Sequence, residues 1–150
     1  MARWSVTRNI SAPIGTVFSA VANVDQFTRV RPQVLRIEFQ SDIHSGVGTR
    51  FRETRRMKDT ESTNDLEITE YEPERRVRFV TESNGTVWDS TYTVEERSGS
   101  SVLTLTMDAI SRRWLPRIMV LLISGVLQKA LEGDMDIVKE FCERETRSRT

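Results

Sequence analysis

The chain changes its hydrophobic period once, and that change limits what it can fold into. From Val34 to Ala109 apolar and polar residues alternate in short runs, whereas Trp114 to Glu145 has a helical spacing and no alternation. A period of two puts successive side chains on opposite faces of a strand, and a period near 3.6 gathers them on one stripe of a helix. Six strands are predicted: Val34 to Phe39, Thr49 to Met57, Asn64 to Tyr71, Arg76 to Thr81, Thr86 to Glu95 and Val102 to Ala109. Between them stand Ser45-Gly46-Val47-Gly48, Glu72-Pro73-Glu74, Asn84-Gly85 and Ser98-Gly99-Ser100. Asn-Gly in particular supplies the positive φ of a tight hairpin. With no helix interleaved, these strands form an antiparallel meander. Trp4 to Arg8 alternates too and adds a seventh strand.

Ser11-Ala12-Pro13 marks a helix start, because proline in a first turn loses no hydrogen bond and its φ is already helical. Ile14, Val17, Phe18 and Val21 follow at i, i+3, i+4 and i+7, giving a short amphipathic helix that ends near Asn23. A second short helical piece, Asp25 to Thr28, stops before Pro32. The long helix holds only Pro116, which a first turn tolerates. At about 100° per residue its apolar stripe is Leu115, Met119, Leu122, Val126, Ala130, Gly133, Ile137 and Phe141, with Gln128, Lys129, Glu132, Asp136, Lys139 and Glu143 opposite.

The expected class is therefore α+β: a curved seven-stranded antiparallel sheet wrapped on a long C-terminal helix, with two short helices after strand 1. A long antiparallel sheet twists and coils, so it can curl around a helix. Alternation turns Phe51, Leu66, Ile68, Val77, Phe79, Trp88, Tyr92, Leu103, Leu105 and Met107 inward. Such residues suit either a filled core or the wall of a pocket. Gly125 and Gly133 lean toward a pocket, since glycine inside a helix costs roughly 0.5–1 kcal/mol relative to alanine and implies that space or close approach is being kept.

Polar residues on the inward parity carry whatever chemistry the interior has. Phe51 facing inward places Thr49, Glu53 and Arg55 on its side, and Trp88 and Tyr92 bracket Ser90. A carboxylate in an apolar pocket needs a partner, which Arg55 at i+2 from Glu53 can supply. The pair could orient a ligand carbonyl or hydroxyl, or act as acid and base; strand ends and bulges could equally turn it to solvent. The expected cavity-lining set is Phe51, Glu53, Arg55, Leu66, Ile68, Phe79, Trp88, Ser90, Tyr92, Leu105, Met107, Leu122 and Val126. Specific catalytic residues are not identified.

Other chemistries find little material. His44 is the only histidine and sits beside a glycine turn, and Cys142 is the only cysteine, so a Cys/His metal site or a nucleophile–histidine triad is hard to build. No phosphate loop or dinucleotide fingerprint appears, and neither cofactor nor metal is expected. Basic and acidic residues balance at 22 each, so no global field draws the chain to nucleic acid. A lone cysteine forms no internal disulfide, and the longest apolar run, Ile118 to Ile123, is far short of the ~20 residues a membrane span needs. A cytoplasmic location is the expectation. Arg112-Arg113-Trp114-Leu115-Pro116-Arg117 enters that apolar run, and Ile118 and Leu121 fall outside the helical stripe. Contact with a membrane surface or a second copy through Trp114, Ile118 and Leu121, or gating of the pocket mouth, is one reading of it; coverage by neighbouring loops is the other.

The order of these elements, with particular residues in them, resembles the SRPBCC (START-like) superfamily, in its polyketide cyclase/dehydrase and lipid-transport branch. The resemblance rests on Ile10-Ser11-Ala12-Pro13-Ile14-Gly15-Thr16-Val17-Phe18, Phe27-Thr28-Arg29-Val30-Arg31-Pro32-Gln33-Val34, Gly46-Val47-Gly48-Thr49 and Glu70-Tyr71-Glu72-Pro73-Glu74-Arg75-Arg76-Val77, together with the closing helix. It implies a helix-grip fold with an internal hydrophobic cavity; the length and composition of the chain point to one domain over residues 1–143 followed by a polar, frayed tail, 144–150. The expected function is binding or transport of a small hydrophobic ligand, such as a lipid, polyketide or isoprenoid. A cyclase- or dehydratase-type enzyme is the first alternative, and a partner-binding protein that uses the start of the last helix is the second.

Overall fold

A computed structural model of the chain describes residues 2–111 and 117–149. Strand β1 (Ala2–Ile10) leads into α1 (Ile14–Ala22), a 3₁₀ turn (Val24–Gln26) and α2 (Phe27–Val30). Then follow β2 (Val34–Phe39), β3 (Arg50–Met57), β4 (Thr60–Glu72), β5 (Arg76–Ser83), β6 (Thr86–Arg97) and β7 (Ser100–Ser111), and the helix α3 (Arg117–Ser148). The sheet order is β1-β7-β6-β5-β4-β3-β2, with every neighbour antiparallel. The meander is thus closed on one side by the N-terminal strand, and the class inferred from the sequence is the one observed.

Turn chemistry explains the register. Asn84-Gly85 and Ser98-Gly99 both place two successive residues at positive φ, the geometry that matches the right-handed twist of a hairpin. Lys58 also sits at φ 51°, and pairing runs out to Met57↔Thr60. β4 consequently starts four residues before the Asn64 expected from the pattern. No glycine marks that turn, and the polar run Thr60–Thr63 carries no apolar alternation to betray a strand. The second short helix likewise divides into the 3₁₀ turn and α2, which ends at Val30 and is capped by Arg31, the residue whose extended backbone precedes Pro32. At the other end of the chain the segment expected to fray continues α3 to Ser148, and Arg29 forms an ion pair with Glu145.

The core lies between the concave face of the sheet, α1, α2 and the C-terminal part of α3. Phe27, Phe51 and Phe79 meet one another with ring centroids 5.8–6.1 Å apart, and Tyr92 joins Phe79 edge-on at 6.2 Å. Phe51 and Ile68 are wholly buried in this cluster, along with Val77, Leu103 and Met135. Among the described residues no helix is long and apolar enough to cross a membrane.

The stripe of α3 differs from the one phased on the sequence. The buried positions are Leu131, Met135, Val138, Phe141 and Cys142, with Leu127 half-buried, whereas Met119, Leu122 and Val126 are exposed. Over most of its length the packed face is displaced by one residue, about 100° around the axis. The cause is Asp134. Taking an acidic residue as solvent-facing turns Gly133 inward, but Asp134 is held in the interior by Arg31. Gly125 and Gly133 guard no close approach either, since a Cβ at either would meet nothing within 4 Å.

Candidate functional site

Between the sheet and α3 lies a cavity of about 680 Å³. A well-packed core leaves few voids larger than a single water, so this interior is not a filled one. The volume falls within the roughly 300–1,000 Å³ usual for small-molecule sites.

Its wall divides by chemistry. Phe27, Leu66, Phe79, Trp88, Leu105 and Met107 supply the apolar surface from α2 and the sheet, and Val21, Leu127, Leu131 and Ile137 supply it from the helices. Trp88 is braced from behind by Trp4, with ring centroids 6.2 Å apart, and the Trp4 indole donates to the Ser124 carbonyl of α3 at 3.2 Å. Arg31, Gln33, Glu53, Arg55, Tyr92 and Asp134 form its main polar part, and Ser62, Asn64, Thr81, Ser83, Ser90 and Lys129 add single polar groups elsewhere in the wall.

The main polar part is a connected cluster. Arg31 Nε donates to Asp134 Oδ2 at 3.0 Å, and another Arg31 N–H donates to the Tyr92 hydroxyl at 3.2 Å. Gln33 Nε2 donates to Asp134 Oδ1 at 2.9 Å. Arg55 Nε donates to Glu53 Oε1 at 2.6 Å, and its Nη1 lies 3.6 Å from Asp134 Oδ1. Two guanidinium groups thus face two carboxylates, in a place where an unpaired charge would be strongly disfavoured. Arg31 is 2% exposed, and its guanidinium also covers the Phe27 ring at 5.4 Å.

Local backbone explains how these groups arrive together. Glu53 and Arg55 share the inward parity of Phe51 on β3, as Ser90 and Tyr92 share that of Trp88 on β6. Arg31 closes α2 through its backbone N–H to the Phe27 carbonyl, and its own carbonyl accepts from Val34 N–H, so the side chain is fixed at both flanks.

Burial works against the charged form of Arg31, but the Asp134 carboxylate, with Tyr92 and Glu53 behind it, outweighs that effect and raises the guanidinium's pKa. Arg55 is raised in the same way, with burial opposed chiefly by Glu53 and then Asp134. Burial pushes the Tyr92 phenol upward, and the opposing Arg31 charge does not cancel it. Both arginines are fixed cations, and Tyr92 is a neutral hydroxyl.

Of the residues expected to line the cavity, Glu53, Arg55, Leu66, Phe79, Trp88, Ser90, Tyr92, Leu105 and Met107 stand in its wall. Phe51 and Ile68 do not; both are sealed behind it in the core. Leu122 and Val126 point into solvent, 68% and 73% exposed, because of the rotated stripe of α3. Trp114 lies outside the described residues, while Ile118 and Leu121 are 73% and 72% exposed. His44 is exposed and stacks on Phe39 at 3.7 Å, away from the cavity. Pattern reading missed Arg31, Gln33 and Asp134. Asp134 does leave a signal: between Leu127 and Val138 it is the one acid in phase with Leu127, Leu131, Met135 and Val138. Among the described residues no group of three or more potential ligands could hold a metal ion.

The family model described as polyketide cyclase/dehydrase and lipid transport matches residues 1–143. No curated protein matches the sequence. Among solved structures, the Zhui aromatase/cyclase from Streptomyces sp. R1128 superposes with a TM-score of 0.79 at 15% identity, covering 95% of this chain and 94% of that one. A START superfamily protein from Mycobacterium smegmatis does so with a TM-score of 0.71 at 12% identity, over 99% of each chain. The di-domain aromatase/cyclase StfQ of the steffimycin biosynthetic pathway matches with a TM-score of 0.78 at 13% identity, over 95% of this chain and 51% of its own. At such identities the likeness establishes the shared fold.

Proposed function

We propose, as the chain belongs to the polyketide cyclase/dehydrase and lipid transport family, that its cavity takes up a small, mostly hydrophobic molecule and holds it without transforming it. The observation that carries this reading is a cavity of about 680 Å³ whose wall is largely aromatic and aliphatic, with its charged groups other than Lys129 gathered in one cluster. Burial of an apolar ligand there gains roughly 25 cal/mol for each Å² removed from water. The cluster then orients the ligand's polar end.

The same cluster favours, less strongly, a cyclase- or dehydratase-type enzyme, since acids, bases and a phenol converge on the cavity. Their pairing argues for binding. General acids and bases act best with a pKa near the working pH. Burial raises the pKa of the Tyr92 phenol, further from a neutral working pH, and Glu53 and Asp134 are already taken up in hydrogen bonds and ion pairs with guanidinium groups.

Native mass spectrometry of the purified protein, together with titration by the neutral fluorophore N-phenyl-1-naphthylamine, tests the reading. A retained small molecule or saturable probe binding is expected, and Met107→Trp, which fills the cavity, abolishes it. A protein that carries nothing and leaves the probe dark defeats the proposal. Turnover of a bound polyketide would favour the enzyme instead.

A further inference from the structure

Tyr92 has one unused bond. Its oxygen accepts from Arg31, and among the described residues its own proton meets no acceptor. The ring is 8% exposed and the hydroxyl belongs to the cavity wall. A donor shut away from bulk water without an acceptor is destabilising, and a ligand oxygen is the natural group to complete it. Ser90, two residues along the same face of β6, is a second hydroxyl in the wall without a partner among the described residues.

The charges nearby decide what kind of oxygen fits. Arg31 and Arg55 are matched by Glu53 and Asp134, two against two. A ligand carboxylate would make three acids to two bases where an unpaired charge is costly to bury. A carbonyl or hydroxyl adds an acceptor and leaves the balance intact. Lys129 is the other cation in the wall, and it stands on the exposed side of α3, so a carboxylate drawn to it stays in water at the mouth.

Resting on the ligand-binding reading above, we propose that the buried part of this cavity selects apolar molecules bearing a neutral acceptor oxygen, a ketone or hydroxyl, with Tyr92 as its donor, and disfavours carboxylates there. The selected class is thus oxygenated neutral hydrocarbons; fatty-acid anions are disfavoured in this part of the cavity.

Three probes of one shape test this by displacement of N-phenyl-1-naphthylamine: 2-acetylnaphthalene, 2-ethylnaphthalene and 2-naphthoate. The acetyl compound should bind roughly tenfold more tightly than the ethyl one, the gain of one buried hydrogen bond. Naphthoate should bind weakest once Lys129→Ala has removed the rim cation. Tyr92→Phe should erase most of the difference in affinity between the acetyl and ethyl compounds, with near-ultraviolet circular dichroism showing that the variant is folded. On the wild-type protein, the infrared carbonyl stretch of ¹³C-labelled 2-acetylnaphthalene should move to lower wavenumber than in an alkane solvent, so the outcome does not depend on any variant folding. A stretch at its alkane position, or naphthoate as the tightest ligand of the Lys129→Ala protein, overturns the selection. Binding of none of the three overturns the ligand-binding reading itself.

Discussion

Along α3, the stretch from Leu131 to Cys142 buries Leu131, Met135, Val138, Phe141 and Cys142, whereas Ile118, Leu121, Leu122 and Val126 of the preceding turns stand in solvent. The exposed stretch is the more apolar of the two, for 118–126 holds no charged residue and 131–142 holds five, so composition alone would bury the wrong one. Anchorage decides. Among the described side chains, the ties of α3 to β1 begin where Trp4 donates to the Ser124 carbonyl, and they continue through Gln128 to the Ser5 carbonyl and Arg8 to Asp136. Further on, Glu143 accepts from Ser11 N–H and Cys142 lies against the Thr16 carbonyl. The far half of the helix is therefore part of the core, and among the described residues the near half is apolar surface exposed to solvent.

The contrast is broken most severely at its centre. Asp134→Ala leaves Arg31 buried with half of its partners, and a loss of about 3–5 kcal/mol in urea unfolding is expected. Asp134→Asn should recover part of this, because the amide oxygen still accepts from Arg31. Met135→Ala comes next, at about 2–5 kcal/mol, since a fully buried side chain leaves a void that the surrounding core cannot collapse into.

Cys142 sharpens the comparison through pH. Burial pushes its thiol from 9.0 up to about 12. Above pH 9 the unfolded chain loses this proton while the folded chain keeps it, so stability is fully present below pH 9 and falls as pH rises toward 12. The slope from this one group reaches at most ~1.4 kcal/mol per pH unit. Chemical unfolding at pH 8, 10 and 11 should show the decline, and Cys142→Val should flatten it. The smallest effect belongs to the near half: Leu122→Ala and Val126→Ala should each change stability by less than about 0.5 kcal/mol. A loss as large as that of Met135→Ala would mean that those turns are covered after all.

Much of the fold was legible because its signals are local. Hairpins at Asn84-Gly85 and Ser98-Gly99 follow from φ preferences, and the inward parity of Phe51, Glu53 and Arg55 follows from the pleat. The hairpin at Lys58 was not legible, since no glycine announces its positive φ. The Glu53–Arg55 pair could be anticipated from spacing within one strand. The other half of the cluster could not, because Arg31 and Asp134 stand 103 residues apart in the chain and meet only through the docking of α3 beside α2.

The sequence by itself determined the class of the fold, its run of antiparallel strands, the long closing helix and which strand residues face inward, for these depend on periods of two and 3.6 and on turn residues. Only the tertiary structure decided which way α3 faces, that the interior holds a cavity, and that two arginines and two acids balance there. The physical reason is the same for all three. A charge in a sequence reads as surface until its partner is known, and the partner of Asp134 comes from another element altogether.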